Sequence, residues 1–418
     1  MKNRREFLRD STLLFLAAAS ELKAQSPESA AQDEARWREI EQAFVVEREV
    51  VNLNHASVGC TPRAVLEAVE GYTREVERLP SYSIFRYGPR LEPIRASLAK
   101  MFGCETEEIA IVRNATEALQ AVLLGVSLKA RDEVVTTTQD YWAMLDALDQ
   151  RQKRDGIVVK RVRVPVPPKS EDELAKAFEQ ALTERTKLIL VSHPVNLTGQ
   201  HFPVAKICKM AHARGIEVVV DAAQSFGQFE ITAESLQCDY LGTSPHKWLM
   251  GPKGTGMLYM KREKIPTVWP LFAAGNTRRP DDIRKFETFG TAPMTVLGLS
   301  EAVRFHQAIG TTQIAARLRY LTRTWVDALQ EHDRFEFRTS FAPGMSNGIA
   351  TIHLKGSDSG ALQERLFEQE KILTFNVAYR TQEFQGIRVS AGLATTPAEV
   401  DRFITTMKRL ACDLPVQS

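Results

Sequence analysis

Through the middle of the chain, short apolar runs alternate with longer amphipathic segments. The runs Glu133–Thr138, Lys187–Ser192 and Ile216–Val220 are rich in β-branched residues and have the length of buried strands. Between such runs lie helical patterns, for example Glu171–Leu182 with Ser170 as its predicted N-cap. This alternation predicts an α/β fold with a mostly parallel sheet that is covered by helices on both faces.

The last third of the chain has a different pattern. Two amphipathic stretches near 294–308 and 312–331 are followed by short apolar strands and further helices, the last of them Pro397–Ala411. This order of elements predicts a smaller α+β domain at residues 293–418. The alternating part predicts a larger domain at residues 53–292.

Residues 1–25 have the pattern of an export signal. Arg4 and Arg5 precede the apolar run Ser11–Ala19, which suits a signal core and is too short to span a bilayer. The pattern resembles twin-arginine signals, so we expect a folded, periplasmic or otherwise exported protein with residues 26–52 as an N-terminal segment. An amphipathic helix on a cytoplasmic protein is the alternative.

Composition narrows the function classes. The chain has 418 residues, a formal net charge of +2 and a charged fraction of 25%, which are typical of a globular protein with a large core. No basic stretch is interleaved with aromatic residues, so nucleic-acid binding is not predicted. The five cysteines are scattered without a CxxC pair, which predicts neither a metal site nor a disulfide framework. No other apolar run reaches the ~18 residues of a membrane span.

An acid and a lysine follow two consecutive predicted strands. Asp221 ends the run Val218–Val220, and Lys247 comes directly after Ser244-Pro245-His246. Because the carboxyl ends of parallel strands meet at one edge of a sheet, both side chains can face one ligand. Pyridoxal phosphate (PLP) needs this pair, since a lysine condenses with its aldehyde and a carboxylate keeps its ring nitrogen protonated. The alternatives are a solvated lysine and a capping aspartate.

Three further motifs follow predicted strands. Asn114-Ala115-Thr116-Glu117 opens a helix, where free amides and the Thr116 hydroxyl can hold a phosphate; capping by Asn114 alone is the alternative. Tyr141 can stack on a flat ring or belong to the core. Asn196 can bond a ring hydroxyl or form a turn before Gly199.

Together these motifs resemble the class V aminotransferase family of fold-type I PLP enzymes, and within it the isopenicillin-N-epimerase-like branch. The resemblance runs from about Asn52 to Phe403, and the residues that carry it are Leu53–Gly59, Arg113–Ala118, Asp221–Gln224 and Ser244–Lys247. It implies the PLP-dependent transferase fold of type I and a homodimer.

The resemblance also implies a role for each matching residue. The expected catalytic residues are Lys247, which binds PLP and moves the Cα proton, Asp221, which pairs with the ring nitrogen, and Tyr141, which stacks on the ring. The other expected contacts are to the ring hydroxyl (Asn196, Gln224), to the phosphate (Ala115, Thr116, Ser244, His246), to the phosphate of a partner subunit (Thr291) and to the substrate (Arg388, His55).

Arg388 is expected to clamp a substrate carboxylate, because a guanidinium donates two parallel hydrogen bonds to it. A surface ion pair is the alternative for this residue. The substrate is therefore expected to be a small molecule with an amino group and a carboxylate. Further candidates for the walls of its site are Arg86, Trp142, Tyr379 and Arg380.

Two departures from the family pattern bear on the reaction. Desulfurases of the family carry a nucleophilic cysteine shortly before the arginine, and the stretch Leu373–Ile387 contains none. They usually have a histidine where this chain has Tyr141. Cysteine desulfuration is therefore disfavoured. The first hypothesis is an aminotransferase that acts on an amino acid or an aminoacyl group, with an epimerase and a carbon–sulfur lyase as alternatives.

Two hypotheses lie outside this enzyme class. A PLP-fold binding module would be suggested by the loss of Lys247 or Asp221, and both are present. A nucleotide-binding P-loop is suggested by Gly251–Gly256, but that stretch lacks the Gly-Lys-Ser/Thr ending and precedes a strand.

Overall fold

The computed structural model describes residues 15–273, 279–287 and 292–413, without the side chains of residues 84 and 85. Its strands, in chain order, are β1 Val51–Asn52, β2 Ile109–Val112, β3 Glu133–Thr137, β4 Val158–Val162, β5 Thr186–Ser192, β6 Glu217–Asp221, β7 Tyr240–Thr243, β8 Gly256–Met260, β9 Phe335–Phe337, β10 Ala350–Leu354, β11 Ile372–Leu373, β12 Phe375–Asn376 and β13 Ile387–Val389.

The α-helices follow the same order. After a helical segment at residues 15–24 they are Pro27–Gln32, Glu34–Glu41, Arg63–Arg78, Pro80–Phe102, Ala115–Gly125, Trp142–Asp155, Glu171–Ala181, Val204–His212, Ala233–Leu236, Pro293–Leu297, Leu299–Ile309, Thr311–Leu329, Ser359–Glu368 and Pro397–Asp413. Short 3₁₀ turns lie at Thr106–Glu108, Arg262–Thr267, Ile283–Phe286 and Val377–Tyr379. No described helix is both long and apolar enough to cross a membrane.

The large domain is built on a seven-stranded sheet. Its order is β2-β8-β7-β6-β5-β3-β4, in which β8 runs antiparallel to β2 and β7, while the remaining neighbours are parallel. Side chains of β5 alternate between two cores, with Ile189 and Val191 in one and Leu188 and Leu190 in the other. The period of two and the burial on both faces confirm the predicted mostly parallel α/β sheet.

The small domain is built on a four-stranded antiparallel sheet in the order β12-β13-β10-β9. Its core contains Trp325 from one helix and Phe403 from another. Residues that precede the seven-stranded sheet in the chain also contribute, because β1 pairs in parallel with β11 and Leu53 belongs to the same core. Leu53, the first residue of the predicted larger domain, thus packs in the core of the four-stranded sheet.

The helical segment 15–24 packs on the small domain. The ring of Phe15 stacks on Phe305 with centroids 4.3 Å apart, and Ala19 and Leu22 are fully buried in the same cluster. The ammonium group of Lys23 donates to the carbonyl of Gln307 over 3.1 Å. Phe15, Ala18, Ala19 and Leu22 of the expected export signal are thus part of the described hydrophobic core.

This packing predicts a stability effect that a detachable leader would not show. Leu22→Ala is expected to lower the free energy of unfolding by roughly 2–5 kcal/mol, because it leaves a cavity in the core. Leu16 lies in the same helical segment and is 49% exposed, so Leu16→Ala is the matched control with an effect within about 0.5 kcal/mol. Denaturant unfolding of the full chain measures both; equal effects would place the segment outside the folded core.

Candidate active site

The large domain contains a cavity at the edge of its sheet, where the carboxyl ends of β5, β6 and β7 meet. Asp221 is the last residue of β6, in register with Ser192 of β5 and Gly242 of β7. Lys247 lies on the turn that follows β7, and its side chain reaches the same cavity. The residues that line this cavity are Ser57, Asn114, Ala115, Thr116, Leu119, Tyr141, Met144, Ser192, Pro194, Asn196, Asp221, Ala223, Gln224, Ser244, His246 and Lys247.

The turn that carries Lys247 is held by close backbone contacts. The Lys247 amide donates to the carbonyl of Ser244 over 3.0 Å, and the amide of Gly251 donates to Pro245 over 3.0 Å. On its other side the Lys247 carbonyl abuts Gly59, where a Cβ atom would lie only 2.0 Å from the carbonyl oxygen. Only glycine fits at position 59, which explains its place beside the lysine turn.

Asp221 and Lys247 have opposite and complementary shifts in pKa. Desolvation raises the pKa of Asp221 to about 6, an effect that the amide of Ala223 and the charge of Lys247 oppose. Desolvation lowers the pKa of Lys247 to about 8, against the attraction of Asp221 and with the repulsion of Arg388. An amine with a pKa near 8 is about one-tenth neutral at pH 7, so it is available as a nucleophile and a base.

The start of the helix Ala115–Gly125 forms one end of the cavity. The Asn114 side chain caps this helix by accepting from the amide of Glu117 over 2.8 Å, and the Ala115 amide donates to the Ser244 hydroxyl over 2.8 Å. Capping therefore accounts for Asn114. It does not account for Thr116 and His246, which line the same end of the cavity and, with Ser244 and the helix N-terminus, form a site for an anion.

Gln224 and Asn196 also line the cavity. Gln224 donates to the carbonyl of Ala56 over 2.9 Å and accepts from the indole N–H of Trp248 over 2.8 Å. The side-chain oxygen of Asn196 is buried and has no hydrogen-bond partner among the described residues. Such an atom costs about 1–3 kcal/mol unless a ligand supplies a donor.

Arg388 is buried at the boundary between the two domains. It lies on β13 with 2% of its surface exposed, so it is not a surface ion pair. Its guanidinium donates to the Asn196 carbonyl over 2.7 Å, to the Asn54 side chain over 2.8 Å and to the Ser57 hydroxyl over 2.6 Å, and it stacks on Phe375. Burial lowers its pKa to about 10. No carboxylate of the described chain pairs with this cation.

His55 does not reach the cavity, in contrast to its expected contact with substrate. It lines a second, smaller cavity, where its Nε2 atom lies 3.2 Å from the sulfur of Cys60. The ring is directed there because Gly392 leaves room for it; a Cβ atom at position 392 would lie 2.2 Å from the imidazole. The sequence could not show this, since residue 392 is remote along the chain.

The other expected wall residues are not among the lining residues either. Arg380 stacks on the exposed rings of Trp142 and Tyr379, and Arg86 stacks on Tyr82 at the surface. Thr291, expected to contact the phosphate of a partner subunit, lies outside the described residues. Among the lining residues that sequence reasoning missed are Ser57 and Ser192; for Ser192, its place at the end of β5 was the available signal.

Comparison with known proteins decides the family. Residues 51–403 match the family model described as aminotransferase class-V. The chain belongs to the class V aminotransferase family. It is 28% identical to isopenicillin N epimerase of Streptomyces clavuligerus over 396 residues, which cover 90% of this chain and 98% of that one. It is 32% identical to a probable cysteine desulfurase of Synechocystis over 234 residues, which cover 54% of this chain and 55% of that one.

Solved structures of PLP-dependent enzymes share the fold of this chain. A C-DES mutant with glycine covalently linked to its PLP cofactor superposes with a TM-score of 0.80 at 21% identity, over 90% of this chain and 99% of that one. The Escherichia coli cysteine desulfurase CsdA superposes with a TM-score of 0.78 at 22% identity, over 91% of this chain and 99% of that one. These likenesses show the fold-type I architecture, and membership of the class V family makes the chain a PLP-dependent enzyme.

The residues of the cavity fit PLP. Lys247 and Asp221 face one space, as covalent attachment and a cationic ring nitrogen require. The unpartnered oxygen of Asn196 fits a ring hydroxyl, and the N-terminus of the helix Ala115–Gly125 with Ser244 fits a phosphate. No group of three or more His, Cys, Asp or Glu residues in the described chain is arranged to hold a metal ion.

The lowered pKa of Lys247 predicts how the cofactor-free protein takes up PLP. Only the neutral amine attacks an aldehyde, so the rate should rise with pH through a midpoint near 8, in contrast to the value of 10.5 for an ordinary lysine. Stopped-flow mixing of cofactor-free protein with PLP, followed by the visible absorbance band, measures this midpoint.

A variant of Asp221 tests whether its charge shifts the pH midpoint of PLP uptake in the expected direction. Asp221→Asn removes the negative charge that raises the pKa of Lys247, so the midpoint should move to lower pH. Lys247→Ala should give no covalent band at all. A midpoint near 10 in the unmodified protein would contradict the desolvation of Lys247.

Proposed function

We propose that this enzyme removes the Cα proton of an amino acid or aminoacyl substrate that has a free carboxylate, most simply as an aminotransferase. The observation that carries the proposal is that Lys247 and Asp221 line one cavity, and that the buried cation Arg388 lies beside it, bonded to the Asn196 carbonyl and the Ser57 hydroxyl of two lining residues. The same arrangement argues against a PLP-fold binding module, because a module would have no need of a lysine with a lowered pKa.

Each of these residues has a defined task in such a reaction. Bound PLP supplies an electron sink for the charge that is left when a Cα proton is removed. Lys247 takes that proton, and desolvation keeps part of its amine neutral at pH 7. Asp221 is a buried carboxylate at the end of β6 that would hold the cationic ring nitrogen of bound PLP. Tyr141 and Met144 close the cavity beside them.

Arg388 supplies the specificity for a carboxylate. A buried guanidinium without an anion carries a desolvation cost that an anionic ligand would offset. Its present partners are an amide carbonyl, the Asn54 side chain and the Ser57 hydroxyl, all of them neutral. Since Ser57 and Asn196 also line the cavity, a carboxylate bound to Arg388 would hold the rest of the substrate next to Lys247.

Aminotransfer is favoured over the alternatives by the supply of bases. Among the described residues that line the cavity, Lys247 supplies the one amine and His246 the one imidazole, and a single base on one face suffices to move a proton from Cα to the cofactor. Epimerisation needs a donor on the opposite face, for which the Tyr141 hydroxyl is the candidate. Epimerisation is the second candidate because of the nearly full-length similarity to isopenicillin N epimerase.

Persulfide chemistry by a protein thiol is disfavoured. No cysteine is among the residues that line the cavity, and Cys60 faces the second cavity with His55. A carbon–sulfur lyase that needs no protein thiol remains an alternative. A cystine C–S lyase is among the solved structures that share the fold, with a TM-score of 0.79 at 21% identity.

Export and dimerisation are also part of the proposal. Export through the twin-arginine route is supported by Arg4 and Arg5 and the apolar run after them. A homodimer is supported by the resemblance to family members in which the loop at Phe289–Thr291 contacts the partner's phosphate. The burial of Leu22 in the small domain speaks against simple removal of the leader. Cell fractionation with N-terminal sequencing tests export, and sedimentation analysis tests the dimer.

The role of Arg388 predicts a selective loss of affinity. Arg388→Gln should weaken binding of amino acids roughly 10- to 100-fold, because a charge-assisted hydrogen bond contributes about 1.5–3 kcal/mol. Amines without a carboxylate should bind as before and serve as the control. Spectral titration of the PLP-loaded protein measures both affinities, and an equal loss for both ligand classes would contradict a carboxylate clamp.

Product analysis distinguishes the three reactions. With D- and L-amino acids and small aminoacyl compounds in deuterated water, an aminotransferase should form a keto acid and an aminated cofactor. An epimerase should invert the substrate and introduce deuterium at Cα without a keto acid, and a lyase should release a β or γ fragment. Lys247→Ala is the control and should show none of these products.

A further inference from the structure

Asp140 forms a buried hydrogen-bond cluster at the edge of the sheet that carries the active site. It is 4% exposed, and its Oδ2 atom accepts from the Thr136 hydroxyl over 2.7 Å and from the Thr137 amide and hydroxyl over 2.7 and 2.8 Å. Its Oδ1 atom accepts from the Ser192 hydroxyl over 2.6 Å. The ends of β3 and β5 are thus joined through one carboxylate.

This cluster is adjacent to the catalytic residues on two sides. Tyr141, which lines the cavity, is the next residue in the chain, and Ser192 both lines the cavity and lies in register with Asp221. Asp140 therefore directly precedes Tyr141 in the chain. Through its hydrogen bond with Ser192, it is also linked to the residue of β5 that lies beside Asp221. No basic side chain of the described chain forms an ion pair with it.

Four hydrogen-bond donors favour the charged form of the Asp140 carboxyl. Burial raises its pKa above the ordinary value, and the donors on Ser192, Thr136 and Thr137 oppose this rise, because they bond the carboxylate. The negative charge of Asp140 in turn contributes to the raised pKa of Asp221. If Asp140 served only to close the turn at the end of β3, the hydrogen bond from the Thr137 amide would suffice, and an asparagine would accept that bond equally well.

We propose that Asp140 is a positioning residue of the PLP site, which fixes Tyr141 and adds a second negative charge behind Asp221. The inference rests on the proposed function of the cavity. A second buried anion at this edge favours the protonated, cationic forms of whatever binds at Lys247 and Asp221. The charges that act on Asp221 in the described chain are those of Lys247 and Asp140, Arg388 acts on Lys247 with the opposite sign, and His246 is a further titratable group that lines the cavity.

The decisive variant is Asp140→Asn, which keeps the shape and the acceptor for Thr136 and Thr137 while it removes the charge. Loss of a negative charge destabilises the protonated, cationic form of bound PLP. The pH midpoint of the change in its visible band, which reports loss of that proton, should therefore fall by about 0.5–1 unit. Asp140→Glu restores the charge and should return the midpoint towards that of the unmodified protein.

A control comes from the opposite edge of the same sheet. Asp239 is 3% exposed and accepts from the Val218 amide over 2.8 Å, but it lies before β7 rather than after it, and it pairs with Lys261 over 3.0 Å and with His212 over 2.9 Å. Asp239→Asn should leave the midpoint unchanged even if it lowers stability. Spectral titration of the PLP-loaded protein, from about pH 5 to pH 10, compares all four proteins.

The possible results separate this inference from the proposed function. A lower midpoint in Asp140→Asn alone supports a charge role, whereas an unchanged midpoint or an equal shift in Asp239→Asn overturns it. If Asp140→Asn does not fold, Ser192→Ala decides, since loss of a donor that stabilises the Asp140 anion should move the midpoint in the same direction. Failure of the unmodified protein to form a visible band with PLP would instead overturn the proposed function.

Discussion

The active site depends on the desolvation of two opposite charges at the carboxyl edge of one sheet. Removing a carboxylate or an ammonium from water is costly, and each of Asp221 and Lys247 offsets part of the cost of the other. Because this mutual attraction offsets only part of the desolvation cost, the pKa of Asp221 is raised and that of Lys247 is lowered. A lysine that is partly neutral at pH 7 and an acid that can hold a cationic ring follow from the same burial, without any special bonding.

Close backbone packing creates this burial. Gly59 touches the carbonyl of Lys247, and Gly256 of β8 lies so near Asn114 that a Cβ atom would be 2.4 Å from its amide nitrogen. The small domain completes the enclosure, because Arg388 on β13 reaches across to the Asn196 carbonyl in the large domain. The cavity and the buried cation Arg388 thus lie at the boundary between the domains, where many enzymes place their substrates.

The sequence predicted those features that depend on local periodicity. Alternating strands and helices, and acids or lysines at strand ends, follow from short-range patterns, and so Asp221 and Lys247 could be placed at one edge. Features that depend on remote contacts were missed. The antiparallel direction of β8 has no local signal, the helix Pro80–Phe102 is obscured by its internal prolines, and the direction of the His55 side chain is set by Gly392.

The expected export signal, residues 1–25, shows the same limit, since one apolar pattern is compatible with two structures. Its helical part also presents Phe15, Ala19 and Leu22 to the small domain, where they are buried against Phe305 and its neighbours. The same side chains cannot lie in this core and be bound by an export machinery at the same time. Export of the folded enzyme would therefore require this helix to detach first, at a cost set by the apolar surface that it exposes.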